Sequence, residues 1–389
     1  MLPLDKRVPL VLQQDGCRMH NEACERNPLC LQEKFGQMSC GNLVGIEKLR
    51  EISTVHGGCC GVKGQPRPSP RKQIVPEWGC MIRMPSDSFR GPLPPLTEEQ
   101  RRLEEELRAS VQQLAGTIGE RNLFRHKQLS EAADYIRTTL ARTGYEVRQH
   151  TYEVAGQPCE NLEVEVRGKE HPDEIILIGA HYDSVQGSPG ANDNATGVAA
   201  MLALAKAFAK TVFSRTLRFV AFTNEEPPFF QSRYMGSRVY AQRSHERGEK
   251  IVLMLSLETI GYYSDEPGSQ GYPFPFSFFY PSTANFIAFV SNMKNASWVR
   301  QLLTAFRRHA QLPSEGGALW EWIPGVAWSD HWSFWKEGYP AVMVTDTAPN
   351  RYPHYHTATD TPDKVDFARM ARVVSGLQGI IGGLTGQSS

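Results

Sequence analysis

Four short runs of apolar, largely β-branched residues constrain this chain more than anything else in it. They are Ile175 to Ala180 (IILIGA), Leu217 to Thr223 (LRFVAFT), Ile251 to Leu257 (IVLMLSL) and Ala341 to Thr345 (AVMVT). Runs this short and this continuously apolar read as strands covered on both faces. Helical patterns at about 195–210, 232–247 and 297–310 lie between them. That alternation predicts an α/β three-layer sandwich built on a central, mostly parallel mixed sheet. Upstream, Thr97 and Gln100 fit a capping box ahead of Leu103, Leu107, Val111 and Leu114. A second helical face carries Leu129, Ala133, Ile136 and Leu140, with Gly144 as its cap. Tyr145 to Val154 and Leu162 to Val166 read as a strand hairpin, and Asp366 to Leu384 as a closing helix.

The chain has 389 residues, of which 40% are hydrophobic and 22% charged, enough to build a sizeable core. Its formal net charge is zero, so no basic excess points to nucleic acid. No apolar run approaches the roughly 18 residues of a membrane span. The first thirty residues lack the apolar core of a signal peptide, so the default expectation is the cytoplasm. Cys17, Cys24, Cys30, Cys40, Cys59, Cys60 and Cys80 crowd the start of the chain without a C-x-x-C pair. With Pro66 to Arg71 (PRPSPR), they read as a disordered leader, or as residues upstream of a start at Met81 or Met84. A small metal or disulfide module is the alternative. Residues 1–93 are therefore expected to be leader or linker, and 94–389 the domain that carries the chemistry.

Each buried run ends in ligand-type residues. The first ends in His181, with Asp183 beside it and Asp193 in the glycine-rich loop that follows. The second ends in Asn224-Glu225-Glu226, the third in Glu258, and the fourth leads to His354-Tyr355-His356. Ends of parallel strands lie side by side, so these groups can converge. A lone histidine or glutamate pair at a strand end is usually structural or solvated. Glu258 is different, because burying an uncompensated carboxylate is expensive. Imidazole and carboxylate donors suit zinc, and five of them suit two ions with a shared carboxylate better than one.

His-Tyr-Asp-Ser, Asn-Asp-Asn-Ala-Thr-Gly, Asn-Glu-Glu, Gly236-Ser237, Leu-Glu-Thr-Ile-Gly and Tyr-His-Thr before Asp360-Thr361 resemble the motif set of the di-zinc exopeptidases. That family includes bacterial leucyl-type aminopeptidases and glutamate carboxypeptidases, with glutaminyl cyclases as a divergent branch. The resemblance covers roughly residues 96–386. It implies two zinc ions per chain: His181 and Glu258 on one, Glu226 and His356 on the other, and Asp193 bridging. It further implies that Glu225 is the general base for a metal-bridged water, that Asp183 orients His181, and that Tyr355 steadies the oxyanion. Asp330, in Ser329-Asp330-His331, is a candidate neighbour of the ligands. The implied activity is exopeptidase, an aminopeptidase before a carboxypeptidase, acting on peptides. A single-zinc glutaminyl cyclase and a non-catalytic receptor-like domain of the same fold are the alternatives. Glu258 stands where many members have Asp. Pro227-Pro228-Phe229-Phe230 lengthens the link to Gly236. The aromatic stretches Tyr272 to Phe289 and Trp320 to Trp335 read as packing or as an apolar substrate pocket. Arg233 and Arg238 are weaker candidates for holding a substrate carboxylate.

Overall fold

The computed structural model describes residues 84–386. The cysteine-rich stretch from Cys17 to Cys80, with every expectation placed on it, lies outside the described residues. Helix α1 (Glu98–Val111) begins at the expected capping box. Thr97 Oγ1 accepts from the Gln100 amide at 3.2 Å, and Gln100 Oε1 accepts from the Thr97 amide at 3.1 Å. Helix α2 (His126–Arg142) follows, then strands β1 (Arg148–Val154), β2 (Gln157–Val166) and β3 (His171–His181). Next come α3 (Thr196–Phe208), β4 (Arg215–Phe222), α4 (Gly236–Glu246), β5 (Lys250–Glu258) and β6 (Ile287–Asn292). The chain closes with α5 (Ala296–His309), β7 (Ser314–Leu319), α6 (His331–Lys336), β8 (Ala341–Thr345), the one-turn α7 (Ala348–Arg351) and α8 (Phe367–Thr385). Among the described residues, no helix is long and apolar enough to cross a membrane.

The strands form one eight-stranded mixed sheet in the order β1-β2-β4-β3-β5-β8-β6-β7. Its centre, β4-β3-β5-β8, is parallel and consists of the four apolar runs. The β1–β2 hairpin joins β4 antiparallel on one side. On the other, β6 runs antiparallel to β8 and parallel to β7. Side chains alternate between two cores. Ile176, Ile178, Leu253, Leu255 and Val344 meet α1, α3, α5 and α8. Ile175, Leu177, Val220, Met254 and Ala341 meet α4 and α6. The result is the expected three-layer α/β arrangement.

Strands β6 and β7 have no counterpart in the sequence reading. Ile287–Asn292 hides in an aromatic stretch, and Ser314–Leu319 (SEGGAL) is glycine-rich and hardly apolar. At Gly316 a Cβ would press within about 3.1 Å of Leu303 and Met84, so close packing explains the glycine. Residues 84–93 also belong to the domain rather than to the leader. Met84 and Leu93 pack on the core, and Arg307 donates to the carbonyls of Pro85 and Ser86.

Away from the strand ends, Glu163 of β2 is a buried carboxylate with a dense set of donors. Arg148 reaches it at 2.8 Å, His150 Nε2 at 2.9 Å and the Tyr240 hydroxyl at 2.6 Å, with Arg218 at 3.5 Å. Burial opposes its charge, but His150, Arg218 and Tyr240 prevail and hold its pKa down at about 2. The folded value lies below the unfolded one, so its stabilisation is present above about pH 4.5 and is lost as pH falls toward 2. By linkage, roughly 2 kcal/mol should be gone at pH 3. Urea unfolding at pH 6 and pH 3 checks this. Glu163→Gln should lose roughly 2 kcal/mol less than the parent across that interval. Comparing the two proteins cancels the acid titration of the metal ligands.

Candidate metal centre

Helix α3 returns the chain from β3 to β4 on one face of the sheet, and α4 returns it from β4 to β5 on the other. The carboxyl end of β3 is therefore a point where connections leave in opposite directions, which opens a crevice at the strand ends. His181 is the last residue of β3 and Glu258 the last of β5. Glu225 and Glu226 follow β4, and His356 lies in the loop after α7. Asp193 sits in the tight turn Ala191–Ala195 just before α3.

These residues converge. His181 Nε2 lies 3.4 Å from Asp193 Oδ1 and 3.2 Å from Glu258 Oε2. His356 Nε2 lies 3.1 Å from Asp193 Oδ2 and 3.2 Å from Glu226 Oε2. Asp193 thus turns one oxygen to each cluster. Among the described residues, three groupings bring ligand atoms within 4.8 Å of one another. Two are His181–Asp193–Glu258 and Asp193–Glu226–His356; the third joins His181, Glu225 and Glu226.

The donors fit zinc. Bonds of about 2.0–2.2 Å in a tetrahedron set ligand atoms roughly 3.3–3.6 Å apart, close to the separations found here. His181 Nε2 is buried and has no hydrogen-bond partner, an orphan that a metal ion would satisfy. The electrostatics point the same way. Burial disfavours a charged His181, yet Glu258 and Glu225 raise its pKa well above the ordinary range. His356, opposed by burial, is lifted by Glu226 and Asp193 to about 11. Burial and Asp193's charge push Glu226 up to about 7 against His356 and His181. A pocket that raises both imidazoles and three of its four carboxylates, Glu225, Glu226 and Glu258, lacks positive charge.

The two adjacent glutamates have different surroundings. Glu226 accepts from the Val185 amide at 3.1 Å and faces His356. The Glu225 carboxylate has no hydrogen bond among the described residues and lies 3.8 Å from His181 Nε2. Asp183 holds both. Its Oδ1 accepts from the Glu225 amide and its Oδ2 from the Glu226 amide, each at 3.1 Å. Its link to His181 is looser than expected. The nearest carboxylate oxygen is 3.6 Å from Nδ1, and the Asp183 carbonyl is closer, at 3.3 Å. The sequence reading of Asp183 as a clamp on His181 therefore shifts toward a clamp on the glutamate pair. Its carboxylate can satisfy two backbone donors, and those donors lie nearer.

Glu258 accepts from Ser329 Oγ at 2.8 Å, which steadies its longer side chain. Asp330 is fully buried, and burial raises its pKa to about 7 despite His181 nearby. Tyr355 stacks on His356 with ring centroids 3.9 Å apart. Burial, with Asp193 and Glu226 nearby, keeps its hydroxyl protonated.

The supporting residues carried weaker sequence signals. Asp360 accepts from the amides of Asn192 and Asp193 at 2.8 and 3.1 Å and so fixes the shared ligand. Asp346, directly after β8, accepts from Asn192 Nδ2 and the Tyr262 amide. The strand-end logic that picked out Glu258 applies to it equally. Arg121 had no signal at all. It is fully buried and donates to the carbonyls of Tyr182, Gly119, Pro189 and Gly190, bracing the loop between His181 and Asp193. Backbone tension gathers here as well. Asn224, Thr259 and His356 have φ of +56°, +44° and +57°, and each is a candidate ligand or lies within two residues of one.

Beside the cluster opens a solvent-connected cavity. Glu258 and Tyr355 line it together with Tyr272, Phe276, Tyr280, Phe286 and Trp328. Arg233 and Arg238 do not line it. Arg238 is held by Glu337, and Arg233 lies over the Tyr234 ring.

Comparisons with known proteins place the chain in a family. Residues 161–379 match the model of Peptidase family M28. The uncharacterized protein YfbL of Escherichia coli is 38% identical over 282 residues, covering 70% of this chain and 86% of its own length. A probable aminopeptidase of Saccharomyces cerevisiae is 24% identical over 270 residues, covering 64% of this chain and 65% of its own. The zinc aminopeptidase BSAP of Bacillus subtilis has a similar fold. Its TM-score is 0.59 at 14% identity, covering 74% of this chain and 95% of that one. The chain therefore belongs to peptidase family M28 and is a hydrolase of the zinc-aminopeptidase type.

Proposed function

We propose that this chain is a two-zinc aminopeptidase that removes single residues from the amino end of peptides. The shared carboxylate carries the reading. Asp193 Oδ1 faces His181 and Oδ2 faces His356, so one side chain serves both halves of the site. His181 and Glu258 would complete one metal, Glu226 and His356 the other. Bound there, zinc supplies Lewis acidity and lowers the pKa of water from 15.7 to about 7.

Glu225 is the general base. Its carboxylate is unengaged, sits at the face of the cluster, and is aimed by the amide clamp from Asp183. It takes a proton from the attacking water and returns it to the leaving amine. The Tyr355 hydroxyl, kept protonated, donates to the oxyanion as it develops. The direction of cleavage rests on the cavity wall. Among the described residues lining it there is no Lys or Arg, and its two charged members, Glu258 and Glu315, are acids. Such a wall tolerates an ammonium and repels a free carboxylate.

The test is hydrolysis of aminoacyl-anilides and amino-blocked dipeptides by the zinc-loaded chain, with metal analysis in parallel. Free-amine substrates alone should be cleaved, with about two zinc ions per chain. Cleavage of the blocked dipeptides alone reverses the direction. One zinc together with cyclisation of amino-terminal glutamine replaces the peptidase by a cyclase.

A further inference from the structure

One row of residues crosses four adjacent strands on the face of the sheet that carries the cavity. Glu258 of β5 pairs with Thr345 of β8, Thr345 with Ala288 of β6, and Ala288 with Glu315 of β7. All four line the same cavity. Helices α4 and α6 cover this face over β3, β4 and β5, and the aromatic stretches roof the remainder. The row runs from a candidate metal ligand at one end to a second carboxylate at the other. Three strand spacings of about 4.8 Å separate the two backbones by roughly 14 Å.

Between the acids the lining is mostly apolar and aromatic, with Tyr272, Phe276, Tyr280, Phe286, Ala288 and Met343 beside the hydroxyl-bearing Thr345. Glycine keeps the far end open. A Cβ on Gly317 would lie 3.1 Å from the Tyr280 hydroxyl, which donates to the Gly316 carbonyl. Glu315 itself has no hydrogen bond or ion pair among the described residues. Arg307 and Arg90 act on it only through space, and Arg307 is already engaged by the carbonyls of Pro85, Ser86 and Ser314. Burial outweighs both arginines and raises its pKa. A half-buried carboxylate with no protein partner, set beside an apolar lining, can be paired by an incoming cation.

We propose that Glu315 determines side-chain specificity, and that this cavity receives amino-terminal residues carrying a cation on a long apolar stem, lysine or arginine. The proposal rests on the aminopeptidase reading above. A lysine side chain spans about 6 Å from Cα to its nitrogen. With the residue's own backbone held at the ligand cluster, that stem, a Glu315 side chain of about 4 Å extended toward it and an ion-pair contact of about 3 Å together span about 13 Å, close to the separation of the two backbones. The methylenes pack on aromatic rings while the charge meets Glu315.

The experiment compares kcat/KM for lysyl- and norleucyl-anilides on the zinc-loaded full chain; norleucine keeps the stem and lacks the ammonium. The lysyl-to-norleucyl ratio should be about ten or more. Glu315→Gln should bring it toward one, and Glu315→Asp should restore part of it. A ratio taken within one variant cancels losses of folded or metal-loaded enzyme. Calorimetry adds a readout free of turnover: lysine amide should bind the Glu225→Gln chain more tightly than norleucine amide, and the added Glu315→Gln change should erase the difference. Norleucyl hydrolysis with no lysyl preference, or a preference that Glu315→Gln leaves unchanged, overturns the proposal while leaving the aminopeptidase reading standing. No cleavage of any aminoacyl substrate overturns both.

Discussion

Glu225→Gln should keep its metal and lose its turnover. The substitution preserves size and shape, and no hydrogen bond to the side chain is broken, because none is present among the described residues. The backbone amide that Asp183 grips is untouched. What disappears is basicity. A positioned general base contributes about 10²- to 10⁴-fold, so kcat should fall by two to four orders of magnitude, roughly 3–5 kcal/mol of barrier. Element analysis alongside single-turnover rates checks it. A variant within about tenfold of the parent would remove Glu225 from the role. Loss of metal would make it a ligand instead, as the His181–Glu225–Glu226 grouping allows.

Asp193→Ala should empty both halves of the site together. Each half loses the oxygen that faces its histidine, leaving His181 with Glu258 and His356 with Glu226. Two protein donors make a weak zinc site, where structural and catalytic sites use three or four. The loop should survive, because Asp360 grips the amide of residue 193 rather than its side chain. Metal content after dialysis should drop from about two per chain to well below one. Retention of one ion would point to unequal sites that do not depend on the shared carboxylate. Retention of both would end the bridging assignment.

How much was legible beforehand varies with the kind of information. The central strands announced themselves, because burial on both faces demands continuous apolar runs and few other elements look like that. The five candidate ligands could be collected from residues 181 to 356 for a related reason. Parallel strands put their carboxyl ends on one edge, so chemistry at strand ends converges whatever the loop lengths. Strand β7 escaped because an edge strand that packs closely on a helix can be built from glycine, as at Gly316, and β6 because its start lies inside an aromatic stretch. Arg121 escaped because its partners are backbone carbonyls, which no side-chain pattern encodes.

The sequence by itself determined the fold class, the residue types at each strand end, and therefore the class of chemistry. Apolar runs, helical periodicity and donor identity are local properties. Tertiary structure decided which groups meet. Asp183 could have served either His181 or the glutamates, and only the approach of the β4 turn gives its oxygens to two amides. Glu315 and Glu258 are far apart in the chain. They share one cavity because β6 lies in register with β8 on one side and β7 on the other. Register is a relation between strands, and no single strand contains it.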